Sequence, residues 1–223
     1  MKIDHLDNIK DLAPQLASNF VEDIEEVSAQ TYREYQYYYK DIIGIGNKYF
    51  FGHLHDSEII SLKIINGNLS LILNDFSTLV FACALIDKMK LRINKRNLKF
   101  PFEIKTEETK HISLNIVENT GKIRQSKFKK LKEYLYEEII EWSEENIEMA
   151  FDLWSSKLYP ECRYLLLVSC KKMDFKENQN EYWEKYFGEK YNANYEYFTN
   201  ERNKGVYLSD YSLCEKLMDK IIK

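Results

Sequence analysis

Apolar positions Leu16, Phe20, Ile24, Val27, Tyr35, Tyr39 and Ile42 recur mostly three or four apart between about residues 11 and 43, with Glu22, Asp23, Glu25 and Glu26 on the other side. That spacing predicts an amphipathic helix, or two in succession. Pro14 falls near the first turn, where a missing N–H costs least, and Gly44-Ile45-Gly46 supplies a stop. After Ser57 the period changes to two. Ile60, Leu62 and Ile64 alternate with Ser61 and Lys63, and Leu69, Leu71 and Leu73 follow with the same alternation. Asn66-Gly67 lies between the runs, and both residues tolerate the positive φ of a tight turn, so a β-hairpin is predicted.

The run "STLVFACALI", residues 77–86, reads as a buried strand on the β-propensity of Thr78, Val80 and Phe81. "LRINKRNLKF" and "HISLNIVE" read as two more strands. Residues 131–156 are rich in glutamate and leucine, which favour helix, yet Ile147, Met149, Phe151 and Leu153 occupy alternate positions, as do Tyr134, Tyr136, Ile140 and Trp142. Two strands joined by a turn at residues 143–146 follow from that period, which outweighs propensity. The continuous apolar run Leu165–Val168 predicts a central strand. Beyond it, residues 182–198 hold eight aromatics, with Tyr182/Tyr186 and Trp183/Phe187 at helical spacing before Gly188. A last helix is predicted after Ser209 or Asp210, carrying Leu213, Leu217, Met218 and Ile221 on one face.

These elements add up to an α+β fold: a mainly antiparallel β-sheet or sandwich with an N-terminal helical segment and a C-terminal helical, aromatic-rich tail. Three stretches are expected: a helical segment at 1–48, a β-rich core at 49–175, and a helical extension packed on that core at 176–223. A length of 223 residues with 44% hydrophobic content supports one sizeable core, and seven glycines with three prolines leave little material for a tether. No apolar run approaches the length of a membrane span and the first residues lack a signal-peptide pattern, so a cytoplasmic protein is expected. The four cysteines form no CxxC pair and read as buried free thiols.

Charge adds something the hydrophobic pattern lacks. Residues 88–132 hold fourteen Lys or Arg against four Glu, a local +10, so with −4 overall the remainder carries −14. Such segregation marks a surface for an anionic partner, either a protein face or nucleic acid, unless the lysines merely blunt strand edges. Arg92, Lys95, Arg96, Lys99, Arg124 and Lys127 are the candidate partner contacts, with Trp183 and Phe187 as aromatic anchors. The alternative chemistry lies in "FGHLHDSEII", residues 51–60. In extended chain His53 and His55 share a side, and Asp56 could complete a three-ligand metal site of a hydrolase or nuclease. The competing reading is local: Asp56 and Ser57 hold the bend that starts the strand. Glu137 and Glu138, adjacent in a predicted strand, face opposite sides and cannot form a two-carboxylate glycosidase pair. No GxSxG elbow, HExxH or phosphate-binding glycine loop is present.

The aromatic pair Phe50-Phe51, "LHDSEI", the alternating strand, the Asn-Gly turn and the second leucine strand together resemble the opening of several uncharacterised bacterial domain families. They also resemble immunity proteins of polymorphic toxin systems. "EYLYEEI" and "YLLLVSCKKMDF" resemble the closing strands of the same domain, so the resemblance spans about residues 49–175. It implies a non-enzymatic protein that binds and blocks a toxin, without a cofactor. The basic segment departs from that pattern.

Overall fold

The computed structural model describes residues 7–21, 54–127, 131–155, 162–177, 179–203 and 211–221. Strands β1 (Ser57–Ile65) and β2 (Asn68–Asn74) form the expected hairpin, with Asn66 at φ 52° and Gly67 at φ 80°. They join β3 (Pro101–Val117), β4 (Ile123–Ser126), β5 (Glu133–Trp142), β6 (Ile147–Ser155) and β7 (Cys162–Glu177) in one antiparallel sheet, ordered β2-β1-β5-β6-β7-β3-β4. The two strands expected across residues 131–156 are β5 and β6, joined through Ser143 N–H to Asn146 C=O. Because β2 also pairs with β3, six strands close on themselves. The long β3 carries β2 on one edge near its start and β4 on that same edge near its end, with β7 along the other edge.

Alternation sorts side chains between the two faces. Leu69, Leu71, Phe102, Ile104, Met149, Phe151, Leu166 and Val168 fill the inside of the closed sheet. Ala150, Leu165 and Leu167 face outward and are covered by two short N-terminal helices, α1 (Ile9–Leu12) and α2 (Pro14–Ala17). Asn8 pairs with Lys122 beside Gly121, whose φ of 89° and approach to Asn8 Oδ1 leave no room for a Cβ. The remainder of the predicted N-terminal helix lies outside the described residues.

Residues 77–86 correct the sequence expectation. They belong to a helix, α3 (Phe76–Met89), whose first turn is capped by Asp75 through Thr78 N–H. It ends with Lys90 at φ 51°, while Leu91 N–H reaches back to Ile86 C=O, a Schellman arrangement with lysine at the usual glycine position. Residues 91–100 are likewise no strand. They hold a single 3₁₀ turn, Lys95–Asn97, fixed by Asn94 Oδ1 accepting Arg96 N–H at 3.1 Å.

A helical layer grows from the end of the sheet where β2 stops, β3 starts and β7 stops: Asn74 is registered with Pro101, and Phe102 with Glu177. Helices α4 (Gln179–Phe187), α5 (Asn192–Asn203) and α6 (Tyr211–Ile221) share with α3 a second core of Phe81, Leu85, Phe100, Trp183, Tyr195, Phe198 and Met218. On α6 the buried face is Cys214, Leu217 and Met218, whereas Leu213 is 38% exposed, one position away from the expected stripe. Cys170 and Cys214 are buried free thiols and Cys83 is half-buried. At the junction, fully buried Asp75 accepts from Ser77 Oγ, Thr78 Oγ1, Gln179 Nε2 and Arg202 NH1. Arg202 NH2 also donates to Glu177 at 2.6 Å. Among the described residues, no helix is long and apolar enough to cross a membrane.

Candidate functional site

Residues 54–57 form a tight turn in which Ser57 N–H returns to Leu54 C=O at 3.0 Å and Asp56 takes φ 63°, a conformation aspartate tolerates better than most residues. Buried Ser57 Oγ then accepts Phe76 N–H at 3.1 Å, tying the start of β1 to the start of α3. The His55 ring lies 4.5 Å from that of Tyr136. Its Nδ1 sits 3.0 Å from Asp56 Oδ2 but is buried without an aligned hydrogen bond. Burial lowers the His55 pKa, with Asp56 opposing, so the ring stays neutral near pH 7. The His-Asp-Ser stretch thus acts as a joint between the sheet and the helical layer. His53 lies outside the described residues, and among those residues no group of three or more His, Cys, Asp or Glu is placed to hold a metal ion.

Next to this joint, on the outer face under the N-terminal helices, lie two carboxyl groups: Glu138, weighed from the sequence only as a neighbour of Glu137, and Asp152, which was no candidate there. Glu138 Oε2 accepts Leu16 N–H at 3.0 Å in the first turn of α2, where Pro14 has no N–H to offer. Burial pushes Glu138 up to about 7 against the pull of the Leu16 and Gln15 N–H groups. Asp152, opposite Tyr136 in the ladder, accepts from Asn19 Nδ2 at 3.2 Å and from Arg163 NH1 at 3.4 Å. Its other oxygen is buried without a partner, and burial raises its pKa to about 7 in spite of Arg163. Acids of the sheet therefore hold the first turn of α2 and Asn19, two residues past its end. Glu137 faces the other way, as alternation requires: it stands opposite Phe151 inside the closed sheet, accepts from Tyr134 Oη, and is pushed by burial to about 7. The only sequence signal for these groups was an acid on each polar strand face; what buries them arrives from α1 and α2.

Five of the fourteen bases of the segment 88–132 are ion-paired among the described residues. Lys88 pairs with Asp219, Lys95 with Asp87, Lys99 with Glu58, Lys105 with Glu103 and Arg124 with Glu118. Such exposed pairs add little stability, but they consume charge that a partner would otherwise meet. Among the described residues, Lys90, Arg92 and Arg96 are exposed without a carboxylate partner, all on the loop after α3, and Lys122 and Lys127 are exposed at the two ends of β4. The two aromatic candidates are not surface anchors. Trp183 is 0% exposed and Phe187 6%, their rings 4.3 Å apart, with Trp183 Nε1 donating to Tyr191 C=O at 3.1 Å. Their helical spacing puts both on the face of α4 that belongs to the second core. A partner cannot reach them in the folded chain. No family model, no curated protein and no solved structure matches the chain.

Proposed function

We propose that this chain is a non-enzymatic cytoplasmic binding protein that captures an acidic protein partner at the loop carrying Lys90, Arg92 and Arg96. The observation that carries this reading is the charge left over after ion pairing: among the described residues these three side chains are exposed without an ion-pair partner, while Lys88, Lys95 and Lys99 around them are tied to Asp219, Asp87 and Glu58. The loop that presents them is held at both ends, by the helix cap at Lys90 and by buried Leu98 and Phe100. Preorganised surface cations steer association and add specificity through charge complementarity. The resemblance to immunity proteins gives the partner its class, a toxin blocked by being bound.

The test is binding to the product of the adjacent coding sequence, followed by biolayer interferometry. The double reversal Arg92→Glu/Arg96→Glu is expected to weaken capture by about tenfold or more, with the melting temperature unchanged. Unchanged affinity would remove this surface from the reading. Retention of duplex DNA or RNA at low salt, lost steeply as salt rises, would replace the protein partner with nucleic acid.

A further inference from the structure

The hairpin strand β1 is shared unequally by its neighbours. It is registered with β2 from Glu58 to Ile65, with a bulge at Ile60 between Ile59 and Ser61, but with β5 only at Ser57 and Glu58. Ile59 N–H still reaches Lys132 C=O at 2.6 Å, so among the described residues β1 has a strand on one side only from Ile60 onward. Along this edge Ile60, Ile64 and Ile65 are 43%, 45% and 54% exposed, and Leu62 is half-buried against the inner core. Edge strands ordinarily carry several charges, a proline or a bulge against pairing; here Lys63 is the only charge between Ile60 and Ile65, and the bulge lies at Ile60, the start of the exposed stretch, leaving Ser61 to Ile65 regular.

We propose that this edge pairs with the same edge of a second copy of the chain, antiparallel about a two-fold axis through Leu62. The sequence Ile59-Ile60-Ser61-Leu62-Lys63-Ile64-Ile65 has a palindromic apolar pattern about Leu62. A two-fold contact must be self-complementary, with residue i meeting j wherever j meets i. On that axis Ile60 meets Ile64 twice, Ser61 meets Lys63 twice, and Leu62 meets itself. Moving the axis to Lys63 would set the two lysines face to face. The ladder runs from Ile60 to Ile64 on each copy and stops there, because the next pair would need Ile59, whose N–H is already engaged by Lys132. An interface this short is small, so association depends on concentration.

Sedimentation of the full chain over a range of concentrations tests the pairing. A monomer–dimer equilibrium is expected, and Ile60→Lys or Ile64→Lys should raise the dissociation constant about tenfold, since each removes two symmetric cross-strand pairs. The double variant Ile60→Lys/Ile64→Glu sets Lys opposite Glu in both pairs and should dimerise more tightly than either single variant. Far-UV circular dichroism checks that the variants remain folded. Independently, Leu62→Cys on the axis should give a reducible covalent dimer, because facing Cα atoms in an antiparallel pair lie about 4.5–5.5 Å apart, within disulfide reach. A chain that stays monomeric throughout, a dimer indifferent to Ile60 and Ile64, or no cross-link beyond that of the parent chain overturns the proposal.

Discussion

Asp75 shows how much one side chain organises. Its Oδ1 caps α3 through Thr78 N–H, and its Oδ2 receives Gln179 and Arg202 from the C-terminal helices. Removing one partner of a buried ion pair strands the other charge, so Asp75→Ala should cost about 3 kcal/mol or more in urea unfolding. Ser77→Ala, which deletes a single neutral donor to the same carboxylate, should cost about 1 kcal/mol. Equal losses would reduce Asp75 to an ordinary helix cap. The cap was missed, because residues 77–86 read as a strand and not as a helix needing one. Its partners were not readable either: Arg202 and Gln179 lie 127 and 104 residues away along the chain, and nothing local marks them.

At the level of elements, the sequence was clearest where one face meets solvent. The β1–β2 hairpin announced itself by alternation and by Asn66-Gly67, whose turn takes positive φ at both residues. Gly67→Ala meets no atom within 4 Å, so its expected cost of about 1 kcal/mol is purely conformational and should appear as a lower melting temperature with the fold retained. Helix α3 was misread for the opposite reason. Ser77, Thr78, Phe81, Ala82, Ala84, Leu85 and Ile86 are all buried, which erases the polar stripe that makes a helix visible, and Lys90 replaces the glycine that would have marked its end. The turn at residues 54–57 was foreseen as a local joint; the link from Ser57 to the start of α3 was not, because it depends on where the chain returns after the hairpin.

Across the whole molecule, three buried carboxyls set the response to pH. Glu137 and Glu138 are held at about 7 instead of 4.5, and Asp152 at about 7 instead of 3.8. The folded chain keeps protons that the unfolded chain has released, so the stability from each group is complete below its unfolded pKa and is lost as pH rises to about 7. Each glutamate is worth about 3 kcal/mol and Asp152 about 4 kcal/mol. His55, held below 6.5 by burial, acts in the opposite direction as pH falls below that value. The urea midpoint should therefore be higher near pH 5.5 than near pH 8, and Glu137→Gln should flatten the profile while raising the midpoint at about pH 8. A midpoint that rises with pH over this interval would mean the acids ionise at ordinary values. The closure of the sheet also bears on synthesis. One edge of β3 is registered with β7 from Phe102 to Asn115, and β7 leaves the ribosome only after β4, β5 and β6 have been made. Until then β3 presents bare N–H and C=O groups to the crowded cell, so the emerging chain depends on prompt completion of its C-terminal third to hide a ready template for aggregation.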